Sequence, residues 1–256
     1  MSQSNSYIEI KNIKKSYRCT DGSIKNALNG VSLVIKRGEV FGLLGVNGAG
    51  KTTLSSIIAT LHPPTSGEVL FNGESIYSDL IAYRSQIGFC PQRPNLDGLL
   101  TLEQNLRFAG RYYRMSESEI NDRLQKLVKQ FELGDYLKKK ASELSGGYRQ
   151  RFMIARSLMH SPKLVILDEP TVGLDPHIRR QLWSKILELK NEDVTVILTT
   201  HYLDEAEQLS DRVCIIDKGL IKLIDTPENL LADFKKKNLE DVFLGLMHEI
   251  KDENHE

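Results

Sequence analysis

The chain has 256 residues, of which 40% are hydrophobic and 27% are charged. This length and apolar content are enough for one domain with a full hydrophobic core and a smaller unit inserted into it. Lys and Arg total 34, and Asp and Glu also total 34, so the formal net charge is zero. A free-standing nucleic-acid-binding protein usually carries a basic excess, and this balance argues against that class.

The three cysteines, Cys19, Cys90 and Cys214, lack the close spacing of a disulfide framework or a metal site. They favour reduced thiols in a cytosolic protein. The segment Met1–Ser6 is polar, unlike a signal peptide, and no apolar run approaches the roughly 18 residues of a membrane-spanning helix. We therefore expect any membrane role to depend on a partner.

Short apolar or alternating runs predict strands in the first part of the chain. These runs are Tyr7–Lys11, Ala27–Ile35, Val40–Leu44, Glu68–Phe71 and Ile87–Phe89. The almost continuous apolar character of Val40–Leu44 is typical of a strand buried on both faces of a sheet. A helix is predicted over residues 51–61, because Pro63 and Pro64 would stop it.

From Thr101 to about Leu137 apolar residues recur at helical spacing, which predicts a helical insertion. With a further predicted helix at Tyr148–Met159, it forms a helical subdomain at about residues 98–160. The later predicted elements are strands at Leu164–Leu167, Val194–Leu198, Arg212–Ile216 and Leu220–Ile224, a helix at Ile178–Leu189 and helices from Pro227 onward. This alternation predicts an α/β fold around a mostly parallel sheet. We assign residues 1–235 to the main domain and 236–256 to a short helical tail.

Residues 45–53 read Gly-Val-Asn-Gly-Ala-Gly-Lys-Thr-Thr and directly follow the predicted strand Val40–Leu44. The glycines let the backbone curl so that successive N–H groups point at phosphate oxygens, and the following helix adds its positive dipole end. Lys51 supplies a positive charge for the β- and γ-phosphates, and the Thr52 hydroxyl is suited to Mg²⁺. We therefore predict a nucleoside triphosphate site.

The run Leu164–Glu169 is an apolar strand that ends in two carboxylates. A buried strand can deliver Asp168 beside the phosphate loop, where it would hold Mg²⁺ through the water shell of the ion. Glu169 is then a natural general base for a water molecule that attacks the γ-phosphate. The alternative is an ordinary strand end with two solvent-facing acids, which the phosphate loop upstream disfavours.

Ser145-Gly146-Gly147 opens a predicted helix and is a second potential anion cradle. The commoner use of such a tripeptide is an N-cap serine before a flexible turn. One nucleotide does not need two cradles in one chain. The arrangement makes sense when two copies pair head to tail, each lending its serine and glycines to the nucleotide of the other.

In their order and spacing, six motifs closely resemble those of the ATP-binding subunits of ABC transporters, and the resemblance covers residues 6–225. They are similar to the Walker A loop (Gly45–Thr53), the Q-loop (Gln92), the signature (Leu144–Gln150), Walker B (Leu164–Glu169), the D-loop (Gly173–Pro176) and the switch histidine (His201). The resemblance implies a P-loop NTPase core with an N-terminal antiparallel β subdomain and an inserted α-helical subdomain.

The resemblance also implies that the chain binds ATP with Mg²⁺ and hydrolyses ATP. It assigns catalytic roles to Lys51, Glu169 and His201, and metal contacts to Thr52, Gln92 and Asp168. Tyr17 lies where the family stacks an aromatic ring on adenine. The implied nucleotide contacts are Tyr17, Gly45, Asn47, Gly48, Gly50, Lys51, Thr52, Thr53, Gln92, Ser145, Gly146 and Gly147.

By the same resemblance, the partners are an integral-membrane permease and a second copy of the chain or a homologous ATPase subunit, with no nucleic acid. The chain would act at the cytoplasmic face of the inner membrane, held there by the permease. The groove around Gln92 and residues 98–140 would contact the permease, and Asp175 would contact the second subunit. Tyr148, where the family commonly has Gln, and the tail segment Leu239–Leu246 resemble the drug- and lipid-exporter branch.

Several alternatives stay open at the level of sequence. Tyr17 is also suited to packing at a strand edge, Gln92 to an ordinary polar role, His201 to a structural role and Asp175 to a simple Asp-Pro turn. The tail segment is equally an amphipathic helix. A non-transport ATPase acting on ribosomes or DNA, and a nucleotide-binding regulator without turnover, are the rival functions. We expect the lysine runs 138–140 and 235–237 to lie on solvated helix faces.

Overall fold

The computed structural model describes residues 6–252, with side chains over residues 6–246. The strands are β1 (Ser6–Arg18), β2 (Ile24–Lys36), β3 (Val40–Leu44), β4 (Ser66–Phe71), β5 (Glu74–Ser75), β6 (Ile87–Cys90), β7 (Leu164–Asp168), β8 (Thr195–Thr200), β9 (Arg212–Asp217) and β10 (Leu220–Asp225). The α-helices are α1 (Lys51–Ile58), α2 (Leu80–Gln86), α3 (Leu102–Tyr112), α4 (Glu117–Gln130), α5 (Gly146–Ser157), α6 (Pro176–Asn191), α7 (Leu203–Leu209), α8 (Pro227–Asp233) and α9 (Leu239–Asp252). The first residues of the polar N-terminal segment and the end of the predicted tail lie outside the described residues.

The main sheet has six strands in the order β10-β9-β3-β8-β7-β6. All neighbours pair in parallel except β10, which pairs antiparallel with β9. Every residue of β3, β7 and β8 is buried, because both faces of this sheet are covered. The prediction of an α/β fold around a mostly parallel sheet is confirmed.

A second, antiparallel sheet has the order β2-β1-β4-β5. Its inner side chains, including Ile8, Ile10 and Ile35, share a buried cluster with Leu54 and Ile57 of α1. The apolar alternation along β1 and β2 therefore faces the helix that follows the phosphate loop. This is the predicted N-terminal β subdomain, and it fixes the end of β1 near that loop.

Helices α3, α4 and α5 form the helical subdomain expected from the apolar spacing. Ser/Thr capping boxes at Thr101 and Ser116 satisfy the first backbone N–H groups of α3 and α4. Leu106, Ile120 and Phe152 from the three helices are fully buried in one cluster with the main sheet. The subdomain is therefore packed on the sheet rather than tethered to it.

The apolar stripe predicted for the tail is present on α9. Leu239 and Val242 are fully buried against Leu44, at the end of β3, and against Ile215 of β9. Phe243 packs against the same cluster, so the tail helix lies beside the strand that leads into the phosphate loop. The division of the chain at residue 235 stays a prediction. Among the helices that the structure describes, none combines the length and hydrophobicity of a membrane-crossing segment.

The structure corrects the sequence prediction at the two lysine runs. Both are exposed, as expected, but neither lies on a helix. The carbonyl of Lys139 accepts a hydrogen bond from the first N–H of α3, at Leu102, which keeps residues 138–140 in a connecting segment. Lys235 has a φ of +53°, which ends α8 before residues 235–237.

Other differences lie at element ends and in short helices. The predicted helix over 51–61 ends at Ile58, because Thr60 has a φ of +59°. Helix α5 begins at Gly146 rather than Tyr148, and β8 continues to Thr200 rather than Leu198. Helices α2 and α7, each seven residues long, were not predicted, since each is too short to show a helical period.

All three cysteines are free, with Cys90 and Cys214 buried and Cys19 half-buried. Burial raises the pKa of the Cys90 and Cys214 thiols to about 12. These two side chains therefore stay protonated and pack as small apolar groups.

Candidate active site

The sequence motifs meet at the carboxyl edge of the main sheet. Strands β3, β8, β7 and β6 are neighbours in that order. The residues that follow them are the phosphate loop after β3, His201 after β8, Glu169 after β7 and Gln92 close after β6. In open α/β sheets ligands bind outside the carboxyl ends of the strands, so this edge is the candidate site.

Glycine is required at both ends of the phosphate loop. A Cβ added at Gly45 would lie 2.3 Å from the carbonyl oxygen of Ile216 in β9. Gly50, the residue before α1, has a φ of +115°, and a Cβ there would lie 2.8 Å from the carbonyl oxygen of Ala27. The loop therefore curls tightly against its neighbours and presents the N-terminus of α1 to the edge of the sheet.

Lys51 is buried at the base of this loop, with 4% of its surface exposed. Its Nζ donates to the carbonyl oxygen of Gly45 at 2.7 Å and lies 3.5 Å from Oε1 of Glu169. Burial lowers the pKa of Lys51, and the nearby Glu169 carboxylate opposes that shift. The ammonium group is thus aimed along the loop, where a bound phosphate would lie.

Asp168, at the end of β7, is held by two hydroxyl groups. Oγ1 of Thr52 donates to its Oδ1 at 3.2 Å, and the Thr199 hydroxyl donates to the same oxygen. Burial raises the pKa of Asp168, and the two hydroxyl donors counter that effect. Thr199 was not predicted; its position two residues before His201, at the end of a buried strand, was the available signal.

The oxygens of Thr52 and Asp168 fit Mg²⁺, which prefers hard oxygen ligands and keeps several waters or phosphate oxygens. Gln92 adds an amide group at the same edge. No cluster of three or more His, Cys, Asp or Glu side chains suited to a metal ion occurs within the described residues. The donors from Thr52, Asp168 and Gln92 suit an ion whose other ligands are waters or phosphate oxygens.

The Glu169 carboxylate is the meeting point of three separate motifs. Nε2 of Gln92 donates to its Oε2 at 2.8 Å, Nδ1 of His201 lies 3.3 Å from that oxygen, and Lys51 contacts Oε1. The backbone N–H of Glu169 donates to both oxygens of Thr199, at 3.0 Å each. These contacts hold Glu169 at a φ of +49°, an uncommon conformation for a residue with a side chain.

A cavity of about 770 Å³ opens above these groups. Tyr17, Lys25 and Ala27 from the antiparallel sheet line one wall, together with Val172. Of the predicted nucleotide contacts, the cavity is lined by Tyr17, Asn47, Gly48, Gly50, Lys51, Thr52, Thr53 and Gln92. Lys25, Ala27 and Val172 were not predicted, because nothing in their local sequence distinguishes them from ordinary strand and loop residues.

Tyr17 has 38% of its surface exposed, and the Nζ of Lys15 lies 5.1 Å from the centre of its ring. The ring is therefore available at the cavity wall, in keeping with stacking on a base. The alternative of simple edge packing accounts less well for an exposed aromatic ring. The role of Tyr17 stays a prediction.

Ser145, Gly146 and Gly147 lie elsewhere. Ser145 caps α5, its Oγ accepting from the N–H of Tyr148 at 3.5 Å. A Cβ at Gly147 would lie 2.6 Å from Cγ2 of Ile178 in α6, so this turn is packed against the start of α6. None of the three predicted contacts is among the described residues that line the cavity. One chain therefore presents the two predicted cradles on different surfaces.

Comparison with known proteins agrees with this geometry. The model of the family described as ABC transporter matches residues 28–172, more than half of the chain. The chain belongs to the ABC transporter family. A curated relative, the Nod factor export ATP-binding protein I of Rhizobium meliloti (strain 1021), is 40% identical over 89% of the chain. The match spans 66% of the length of that relative.

Two solved structures of ABC proteins resemble the fold. One, an ATP-binding subunit of an ABC transporter, has a TM-score of 0.83 and 32% identity, and covers 94% of this chain and 100% of the other. The other is a dimeric post-hydrolysis state of the ATP-binding cassette MJ0796 bound to ADP and Pi, with a TM-score of 0.78 and 31% identity. This match covers 86% of this chain and 98% of the other. The predictions of a P-loop ABC ATPase fold and of likeness to the exporter branch are confirmed.

Proposed function

We propose that this ABC ATPase closes with a second ATPase subunit around two ATP·Mg²⁺ and thereby drives a separate membrane permease, in the direction of export. The observation that carries the proposal is the separation of the two anion cradles. The phosphate loop and Glu169 share one cavity, whereas Ser145 caps a helix outside it. A complete site then needs the signature turn of another subunit, and the dimeric MJ0796 cassette at 31% identity supports such an arrangement.

In this proposal the loop N–H groups and Lys51 bind the phosphates. Thr52, Gln92 and Asp168 would hold Mg²⁺, which neutralises charge on the β- and γ-phosphates when it is bound. Glu169, already oriented by His201 and Gln92, positions a water molecule and accepts its proton. Tyr17 stacks on the adenine.

Across the interface, Ser145 and Gly147 of one subunit would contact the nucleotide on the phosphate loop of the other. Asp175 precedes α6, is exposed and makes no side-chain capping hydrogen bond. It is therefore available to contact the second subunit. We assign the ATP chemistry to residues 1–235 and regard 236–256 as a tail packed on that unit.

A groove of about 630 Å³ between β6 and the helical subdomain is our candidate permease contact. Phe108 and Tyr112 of α3 line it with 63% and 74% of their surfaces exposed. Arg84 and Arg156 also line it; they donate to Thr60 and Asn95, and neither pairs with a carboxylate among the described residues. The groove thus suits a short cytoplasmic permease helix with an apolar face and an acidic side chain.

This groove borders β6, which ends two residues before Gln92, and Gln92 donates to Glu169. Movement of the permease helix would therefore shift Gln92 and change the position of Glu169. Docking through the permease would place the chain at the cytoplasmic face of the membrane. The transport direction is proposed from the exporter-type resemblance and from the Nod factor export relative.

Purification of the tagged chain from detergent-solubilised membranes tests the proposal. We expect a polytopic membrane protein to co-purify with the parent chain and to be lost from Phe108→Asp, with ATP affinity unchanged. Val34→Asp, on the antiparallel sheet, is the matched control, because it also charges an exposed apolar position and should retain the partner. Ribosomal components in place of a membrane protein would instead support the non-transport alternative.

A further inference from the structure

Glu205 is a fully buried carboxylate that the proposed chemistry does not use. It lies in α7, four residues after His201, with none of its surface exposed. The indole Nε1 of Trp183, in α6, donates to its Oε1 at 2.9 Å. Burial raises the pKa of Glu205, and the Thr200, Thr171 and Trp183 side chains oppose that shift. A carboxylate buried this deeply needs an explanation beyond packing.

The pair is part of a wider contact between α6 and α7. Arg179 of α6 donates to Oδ2 of Asp204 at 2.6 Å, and its guanidinium lies 4.2 Å from the centre of the Tyr202 ring. The Tyr202 ring in turn packs at 4.4 Å from the imidazole of His201. Helix α6 therefore contacts both Tyr202, the residue that follows His201, and Asp204 near the start of α7.

Burial decides which of these contacts fixes α7 most firmly. Asp204 has 62% of its side chain exposed, so its ion pair with Arg179 is screened by water and contributes little. The indole–carboxylate hydrogen bond joins the half-buried Trp183 to the fully buried Glu205, so water screens it less than the exposed ion pair. Removing the indole donor would leave the buried Oε1 of Glu205 without that hydrogen bond, which is costly.

The two helices begin at functionally distinct points. Helix α6 starts directly after Asp175, in the loop proposed to meet the second subunit, and α7 starts two residues after His201. Thr171, which is fully buried, lies between Glu169 and that loop. The buried pair therefore ties the subunit-facing loop to the histidine beside the Glu169 carboxylate.

We propose that Trp183 and Glu205 are positioning residues for ATP hydrolysis: their hydrogen bond holds α7 against α6 so that His201 stays beside Glu169. The proposal rests on the proposed role of His201 in hydrolysis. It assigns neither residue a contact with nucleotide. Its consequence is that a change at the start of α6, where the second subunit would bind, alters the placement of His201.

Steady-state kinetics of the purified chain test the pair. Trp183→Phe keeps an aromatic ring and removes only the donor, and Glu205→Leu removes the acceptor. We expect each to lower kcat by about 10- to 10²-fold, with KM and ATP affinity kept within about twofold, since only positioning is lost. Glu205→Gln retains an acceptor for the indole and should restore most of the activity. The double variant should lose little more than either single variant.

Two reference variants separate the possible failures. Asp204→Asn, in the same helix, removes only the exposed ion pair and should keep the parental kcat. If His201→Ala hydrolyses ATP at the parental rate, the proposed role of His201 is wrong. If His201→Ala lowers kcat while Trp183→Phe keeps the parental kcat, the positioning role is overturned. It is also overturned if Trp183→Phe weakens ATP binding as much as it lowers kcat.

Discussion

At the scale of single residues, Glu169 holds contacts with Lys51, Gln92 and His201, which come from three separate parts of the chain. Its left-handed backbone, at a φ of +49°, costs on the order of 1–3 kcal/mol, and such conformations cluster at functional sites. Two hydrogen bonds from its N–H to Thr199 maintain that conformation. The chain thus orients this carboxylate through its own residues.

We predict that Glu169→Gln keeps ATP binding and loses hydrolysis by roughly 10² to 10⁴, the range for a general base. The amide has the shape of the carboxylate but cannot accept a proton from water. Equilibrium binding of ATP and release of inorganic phosphate, measured on the same preparation, check both halves. Parental phosphate release from this variant would show that Glu169 is not the base.

The residue scale is also where sequence reasoning reached furthest. The glycines, Lys51 and the Asp168-Glu169 pair are recognisable because phosphate binding demands those residue types at fixed spacing. Thr199 and Glu205 were missed because their partners lie far away in the chain, so only the fold brings them together. A buried hydroxyl or carboxylate has no local pattern that distinguishes it from an exposed one.

At the scale of elements, the turn after α5 contacts β6 through His160. Its Nε2 lies 2.8 Å from the carbonyl oxygen of Ile87, and its ring stacks on Tyr113 with centres 3.6 Å apart. Burial lowers the pKa of His160 from 6.5 to about 4, while the Ile87 carbonyl opposes the shift and Arg123 adds to it. The histidine is therefore neutral in the folded chain at physiological pH.

This shift predicts a pH-dependent stability. Because unfolded chains bind the proton more tightly than folded ones, the free energy of unfolding should fall as pH drops from about 6.5 towards about 4. His160→Phe keeps a stacking ring without a titratable group, and should reduce that fall by about 1–3 kcal/mol. Urea denaturation of both proteins at several pH values measures the difference. Parallel pH dependence in both would contradict the assignment.

Elements with a strong apolar pattern were predicted well, and short elements without one were predicted poorly. Val40–Leu44 was placed correctly because a strand buried on both faces is continuously apolar. Helix α2 was not predicted because it has one buried residue, Tyr83, and therefore shows no apolar period. Its start is fixed mainly by the N-cap residue, Asp79. The lysine run 138–140 was wrongly predicted to lie on a helix. The carbonyl of Lys139 accepts a hydrogen bond from the N–H of Leu102 at the start of α3, a tertiary contact that charge alone does not reveal.

At the scale of the whole molecule, the two predicted anion cradles lie on different surfaces of the chain. The phosphate loop and Glu169 lie in the cavity, and the Ser145 turn lies against α6. The presence of two cradles in one sequence led to the prediction of a site shared between two subunits, which stays a prediction. Sequence reasoning could not place the groove proposed to bind the permease in detail, since Arg84 and Phe108 come from elements that only the packed subdomains bring together.

Mixing two inactive variants tests the composite site. Glu169→Gln inactivates the half of the proposed site that carries the catalytic carboxylate. Ser145→Arg disrupts the half that carries the signature turn. A head-to-tail pair of one of each has one site built entirely from unaltered halves, so the equimolar mixture should hydrolyse ATP faster than the sum of the separate variants. Activity no greater than that sum would indicate that each chain completes its own site.

The burial of two of the three cysteines allows the chain to be labelled selectively. Cys90 and Cys214 are inaccessible, whereas Cys19 is half-buried and lies two residues beyond Tyr17 at the rim of the cavity. A thiol-reactive fluorophore therefore has one natural attachment point on the unaltered chain. The label would sit beside the proposed adenine pocket, so that nucleotide entry could be followed optically without engineering a new residue.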